Sequence, residues 1–238
     1  MTGIEFIRSL LSSLLYNLLT PQILLPNLLL GIVTSLSGGY LLRKLSTVKE
    51  AGIIVLRHHL IHFLLITFLG VVVISPLPVG GTEGFIKMVS FYLLFVVLAV
   101  CAFMDEQTHY VLFGLVFSGL FSQILMLIVF VKVGFLDVKL VFGVSFWMAV
   151  TVIALLCLIR AYSPGDMGLI YMCLVGFVIL NEESYLDATV IMLLVAFVTD
   201  VGRHLFFLPR YIREKRSLRF PFLLHITIGF CMATFLIF

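Results

Sequence analysis

Charge is what this chain of 238 residues has least of: 11% of it is Asp, Glu, Lys or Arg, where a soluble domain carries about a quarter. That scarcity excludes an ordinary water-soluble globule, which needs a charged outer surface. Cysteine occurs four times, as Cys101, Cys157, Cys173 and Cys231, each inside an apolar run and none in a CxxC pair. The pattern of a disulfide framework or a zinc ribbon is therefore missing, and the four read as small buried apolar side chains. There is no glycine-rich phosphate loop and no dinucleotide fingerprint. The basic residues lie beside apolar runs, with no soluble domain to carry a groove, which excludes nucleic acid as a partner. The sequence shows no internal repeat.

Hydrophobic residues make up 62% of the chain, and the mean hydropathy is +1.24. The excess runs the whole length, so it is not a leader ahead of a globular body. A helix needs about 20 mostly apolar residues to cross the hydrocarbon core of a bilayer. On that measure the sequence predicts an all-α, polytopic membrane protein with about eight transmembrane helices. They fall at 21–42, 60–78, 87–104, 110–131, 140–159, 167–181, 188–207 and 221–238, in a single integral-membrane domain over 1–238. Residues 1–20 form a further apolar segment, read as interfacial or as an extension of the first span. Strands of a membrane barrel would alternate with period two, which these unbroken runs do not.

Basic residues mark the cytoplasmic side. Arg43, Lys44, Lys49 and Arg57 follow the first expected span, and Arg210, Arg213, Lys215, Arg216 and Arg219 follow the seventh. Six spans separate the two groups, so both lie on one face. The connection near 181–187, with Glu182, Glu183 and Asp187 and no Lys or Arg, then lies outside. The same parity puts the short connections 105–109 and 160–166 inside, and they contain Asp105 and Asp166. Topology assigned from basic residues alone thus brings two isolated aspartates to one membrane face, each at a helix end.

Ionisable groups near membrane depth are expensive and mark functional sites. Asp105 closes the run FVVLAVCAFMDEQTHY, and Asp166 follows a Pro164–Gly165 bend in RAYSPGDMGLIY, at the positive end of the next helix dipole. Each alone reads equally as a helix cap or a solvated loop residue. Held close together, two carboxylates cannot easily both ionise and share a proton. One can then take a proton from water while the other donates to a scissile carbonyl.

At these residues the chain resembles the prepilin peptidases, the GxGD class of intramembrane aspartic proteases. MDEQTHYVL supplies an aspartate, Asp105, at the end of a span with Thr108 three residues on. SPGDMGLIY supplies Gly165 and Asp166 for the end of the GxGD motif, and RFPFLLHITIGF matches the family's basic loop and Pro-Phe start of the last span. SLSGGYLLRKL is a weaker echo in the first span. The resemblance covers most of the chain. It implies an aspartic endopeptidase without cofactor, with Asp105 and Asp166 as the catalytic pair and Gly165, Thr108 and Glu106 in support. It further implies prepilin-like or pseudopilin membrane substrates, cut after a basic leader at the cytosolic boundary. The location implied is the inner (plasma) membrane, multi-pass, with the site facing the cytoplasm.

The chain departs from the family pattern at three places. Ser163 stands for the first glycine of GxGD, and Leu112 stands about where a proline is common. The large loop with two CxxC pairs, carried by members that also methylate the new N-terminus, is replaced by a short stretch at 43–59. Neither methyltransferase activity nor a metal site is therefore expected. Among the remaining polar residues, Asp200 and Arg203 are three apart on one helix and are expected to pair. Glu106 reads as a solvated loop charge or as an attractor for a basic leader. His58, His59 and His62 lack a carboxylate or Cys to complete a metal set and read as interfacial. The basic stretch 208–219 sets topology and meets anionic headgroups. Three other readings stay open: a proton-coupled carrier, an inactive protease-like binding protein, and a presenilin-like enzyme, for which Met104 stands where a Tyr is usual.

Overall fold

The computed structural model describes residues 20–46, 57–74, 81–108, 113–139, 143, 164–214 and 222–237. Among them every regular element of any length is an α-helix: α1 (Pro21–Leu45), α2 (Arg57–Ile74), α3 (Gly81–Thr108), α4 (Phe113–Val133), α5 (Pro164–Leu180), α6 (Tyr185–Glu214) and α7 (Phe222–Ile237). These coincide with seven of the eight expected spans, with ends that move by up to two turns. The expected span 140–159 and residues 1–19 of the N-terminal segment lie outside the described residues. The expected basic loop 208–219 begins as helix, because α6 runs on to Glu214.

Four of the helices, α1, α3, α4 and α6, are long and apolar enough to cross a membrane. The apolar stretches of α2, α5 and α7, His59–Val72, Asp166–Leu180 and Leu223–Ile237, fall short of the length of a full crossing. The chain is thus a membrane-embedded helical protein by the length and composition of its helices. Local signals place several ends. Pro21 and Pro164 open α1 and α5 at the position where a missing N–H costs nothing and the fixed φ is already helical. Arg43 and Lys44 close α1, where positive charge favours the helix dipole.

The helix α3 is the axis of the bundle. It packs against α1, α2, α4, α5 and α7, and Phe91, Leu94, Phe95, Leu98, Val100, Cys101 and Met104 are all buried along it. A helix apolar on every side is one surrounded by other helices. Phe177 of α5 stacks on Phe230 of α7 with ring centroids 5.1 Å apart, and Phe91 of α3 approaches the same ring at 6.1 Å. Aromatic pairs in this range add to what burial of their area contributes. Several polar groups inside the bundle are paired across helices. Ser90 Oγ donates to Gln123 Oε1 at 2.7 Å, and Gln123 Nε2 donates back to the Ser90 carbonyl at 2.9 Å. Tyr92 donates to Ser37 Oγ at 2.7 Å, joining α3 to α1. An unpaired amide in such a place would cost several kcal/mol on an order-of-magnitude estimate.

Many large apolar side chains among the described residues are exposed on the outside of the bundle. On α6, Val190, Leu194, Phe197, Val198, Leu205 and Phe206 are exposed. An apolar face of that size is what lipid covers. The other face of α6 meets α7 very closely, because Gly229 has no side chain. A Cβ there would run into the carbonyl oxygen of Met192.

Gly229→Val should therefore lower stability by about 1–3 kcal/mol, the usual cost of forcing atoms into a packed interior. Gly202→Ala, on the same helix pair but facing open space, should be neutral or stabilising by up to about 1 kcal/mol through helix propensity. Thermal unfolding of the two variants in one detergent compares them directly.

Candidate functional site

The end of α3 and the starts of α5 and α7 meet beside α6. Asp105 lies in the last turn of α3, which continues to Thr108, so the connection expected at 105–109 begins only after that residue. It is 8% exposed. Its Oδ2 accepts a hydrogen bond from the backbone N–H of Leu223 at 2.9 Å. Leu223 is the second residue of α7, and its amide is one of the four that a helix start leaves without a carbonyl partner. Asp105 thus caps a helix other than its own, at the positive end of that helix's dipole.

Asp166 is the third residue of α5, in its first turn and half-buried. Pro164 and Gly165 form the first two residues of that helix, where a bend ahead of it was expected. The charges that act on the Asp105 carboxyl include those of Asp166, Glu106 and Arg203. The two aspartates, far apart in sequence, therefore feel each other's charge; Asp166 lies in the first turn of α5, and Asp105, at the end of α3, caps the start of α7. Beneath them the bundle is apolar: Cys101, Met104, Met167, Leu169 and Leu223 are buried. Of the expected supporting residues, Gly165 is at the start of α5 and Thr108 ends α3; the side chain of Thr108 lies outside the described part.

Glu106 is exposed to solvent as expected, but it belongs to a helix and not to a loop. It is helical, and Arg203 of α6 grips both its oxygens, Nη1 to Oε2 at 3.0 Å and Nη2 to Oε1 at 2.9 Å. Successive residues on a helix point about 100° apart. Asp105 therefore turns to α7 while Glu106 turns to α6. The expected Asp200–Arg203 pair is replaced by a wider arrangement: both terminal nitrogens of Arg203 are on Glu106, and Asp200 Oδ1 lies 3.4 Å from His204 Nδ1 and 3.7 Å from His225 Nε2. On the far side, Gln107 Nε2 lies 3.2 Å from His59 Nδ1, joining α3 to α2, and the His59 ring meets Phe103 edge-on. No three His, Cys, Asp or Glu side chains gather closely enough to hold a metal ion among the described residues.

Compared with family models, with curated proteins and with solved structures, the chain has no match in any of the three.

Three participants were not legible in the sequence. The Leu223 amide is a backbone group, and only the fold says which carboxylate it faces. The Arg203–Glu106 fork joins residues 97 positions apart. His225 stands in the apolar run FLLHITIGF, where nothing in the sequence names its partners. A start of α7 near Pro221 could have flagged free amides there, but not their acceptor.

The Glu106–Arg203 pair is bidentate yet partly exposed, with 44% and 25% of the two side chains accessible. Its coupling energy in a double-mutant cycle of Glu106→Gln and Arg203→Gln should be about 0.2–1 kcal/mol, falling as salt is raised. Unfolding of the four proteins at low and high salt gives the value.

Proposed function

We propose that the chain is an intramembrane aspartic endopeptidase of the prepilin-peptidase kind, with Asp105 and Asp166 as its acid–base pair. The observation that supports this most is the shared neighbourhood of those two carboxylates, at one end of an apolar helix bundle. Two carboxylates brought together hold one proton between them more readily than none. The ionised partner draws a proton from an attacking water, and the protonated partner donates to the carbonyl of the bond being cut. The titration belongs to the pair and not to either residue. Gly165 opens α5 with no Cβ beside Asp166, and Thr108 closes the helix that carries Asp105.

On this reading the substrate is a prepilin-like or pseudopilin membrane helix with a short basic leader, cut at the cytosolic boundary of the plasma membrane. The full arrangement has eight spans, with the dyad facing the cytoplasm. Arg43 and Lys44 end α1, and the neighbouring α2 begins beside the end of α3 through His59 and Gln107. The basic end of α1 and the dyad thus share one side, which supports that orientation under the positive-inside rule. Glu106, engaged by Arg203, serves to seat the end of α3 against α6 in this scheme. No chemistry here calls for a metal or a methyl donor.

Cleavage in reconstituted membranes tests the reading. A prepilin-like substrate should lose its leader just after a glycine, read by gel shift and N-terminal sequencing. Asp105→Asn, Asp166→Asn and the double variant should each lose activity by on the order of a thousandfold or more, without adding to one another, because members of one catalytic unit fail together. Asp187→Asn, in the first turn of α6 at the opposite end of the bundle, should leave the rate unchanged. Cleavage that survives loss of either aspartate would reject the dyad.

A further inference from the structure

Two of the helices too short for a full crossing, α5 and α7, both begin at the dyad. They have 17 and 16 residues. At about 1.5 Å per residue that is about 25 Å, against a hydrocarbon core of about 30 Å. The helix beside them has another length. α6 has 30 residues, and its apolar stretch alone, Tyr185–Phe207, has 23. That stretch spans about 34 Å, enough for the whole core.

Two contacts fix where the extra length of α6 lies. Residues 181–184 turn α5 directly into α6, so these two are level at the end of the bundle away from the dyad. On its other flank α6 runs antiparallel to α7. Gly229 lies against the Met192 carbonyl, and His225 Nδ1 lies 3.0 Å from Thr199 Oγ1. Leu223 follows His225 toward the dyad, so α7 starts close to the level of Val201 on α6. Counting along α6 from the turn brings the first turn of α5 to nearly the same level. The excess of α6 therefore lies wholly at the dyad's end.

What α6 carries past that level is apolar and exposed. Leu205 is 65% exposed and Phe206 is 79% exposed, and they stand about 6–8 Å beyond Val201 along the axis. Acyl chains, and not water, are the favourable surroundings for such side chains. Asp105 and Asp166 then lie deeper than the end of the face that α6 shows to lipid. Tilt does not remove the difference, because α6 and α7 are packed along each other and tilt together. The Glu106–Arg203 fork, partly open to its surroundings, lies just short of Leu205 on α6. Charged groups at such a depth are expensive unless water and headgroups come down to them. A bilayer meets a short hydrophobic stretch by thinning.

We propose that the bundle presents the bilayer with two hydrophobic lengths: full height along α6, and a thinned recess over the starts of α5 and α7 that brings water to Asp105 and Asp166. Bilayer thickness then regulates the site. A thicker bilayer raises the cost of the recess and closes lipid over the carboxylates. The recess stands apart from the peptidase reading, whereas its effect on cleavage rests on that reading.

The test uses the full chain with its four cysteines replaced, carrying a nitroxide label at Phe206→Cys or at Leu224→Cys. Leu224 is half-buried in the first turn of α7, nearer the middle of the bilayer than Phe206 by register. The proteins are placed in phosphatidylcholine bilayers with chains of about 14 to about 22 carbons. Oxygen reports lipid around each label, and a water-soluble nickel chelate reports water. In chains of middle length the label at Leu224 should meet more nickel than the label at Phe206, the reverse of their order in depth. Nickel access at Leu224 should fall several-fold from the thinnest to the thickest bilayer. Equal or greater nickel access at Phe206, or access at Leu224 that ignores thickness, would overturn the recess.

The double variant Leu205→Lys, Phe206→Lys draws headgroups down along α6, so nickel access at Leu224 should stay high in the thickest bilayer. Its melting temperature separates this from a loss of fold. Cleavage by the unlabelled, unaltered protein should fall several-fold across the same series, and cleavage indifferent to thickness would reject the regulation. Absence of cleavage in every bilayer would sink the peptidase reading, and the depth measurements would still decide the recess.

Discussion

The hydrogen bond from the Leu223 amide to the Asp105 carboxylate joins the end of the central helix to the start of the last one, and the arrangement of the site depends on it. A carboxylate buried at a membrane boundary needs donors, and a helix start needs acceptors. Each end here supplies what the other lacks. Because α7 is held at its start, its aromatic stack with Phe177 and its close crossing at Gly229 fall into register along α5 and α6. Because α3 is held at its end, Glu106 meets Arg203 one residue further on. A single polar contact thus organises four helices whose remaining contacts are mostly apolar and non-directional.

In lipid there is little hydrophobic drive between helices, and shape together with a few polar pairs decides which faces meet. The bundle shows both devices. Gly31, Gly38 and Gly39 on α1 admit Phe68, Phe63 and Leu64 of α2 against the backbone, and Gly229 admits the backbone of α6. The Ser90–Gln123 exchange fixes α3 against α4 in the same way. These sites specify neighbours, while the exposed apolar face of α6 specifies only that lipid is outside.

Much of this architecture is legible in the sequence, and for one reason: apolar runs bounded by prolines, glycines and charge clusters report helices regardless of what they pack against. Seven expected spans coincide with helices because the signal is local. The boundaries shifted where polar residues belong to a helix for tertiary reasons. Asp105, Glu106 and Gln107 looked like loop residues, yet each has a partner on a different helix, and those three partners extend α3 to Thr108. The same cause misled the pairing of Arg203. Three residues of separation on a helix suggested Asp200, but a neighbouring helix end offered a carboxylate in better fork geometry. The two aspartates were legible as candidates because charge is so rare here. Their common side was inferred from charge parity, which is a statement about sides of a membrane and not about distance.

Water bears on where any chemistry at the aspartates takes place. Behind Asp105 the interior closes at once: Cys101, Met104, Leu98 and Phe95 are buried in succession along α3. Deeper in, Ser90 and Gln123 are already bonded to each other. Among the described residues, the side left open to water at the carboxylates is their own end of the bundle, where α5 and α7 start. On the peptidase reading a bond to be cut must approach from that same end, because the attacking water and the scissile carbonyl have to meet at the pair. A substrate helix can lie along the apolar outside of the bundle, but its cut must fall where its apolar stretch stops. The position of the dyad at the end of α3, and not any recognition of the membrane-buried sequence, would then set the place of cleavage.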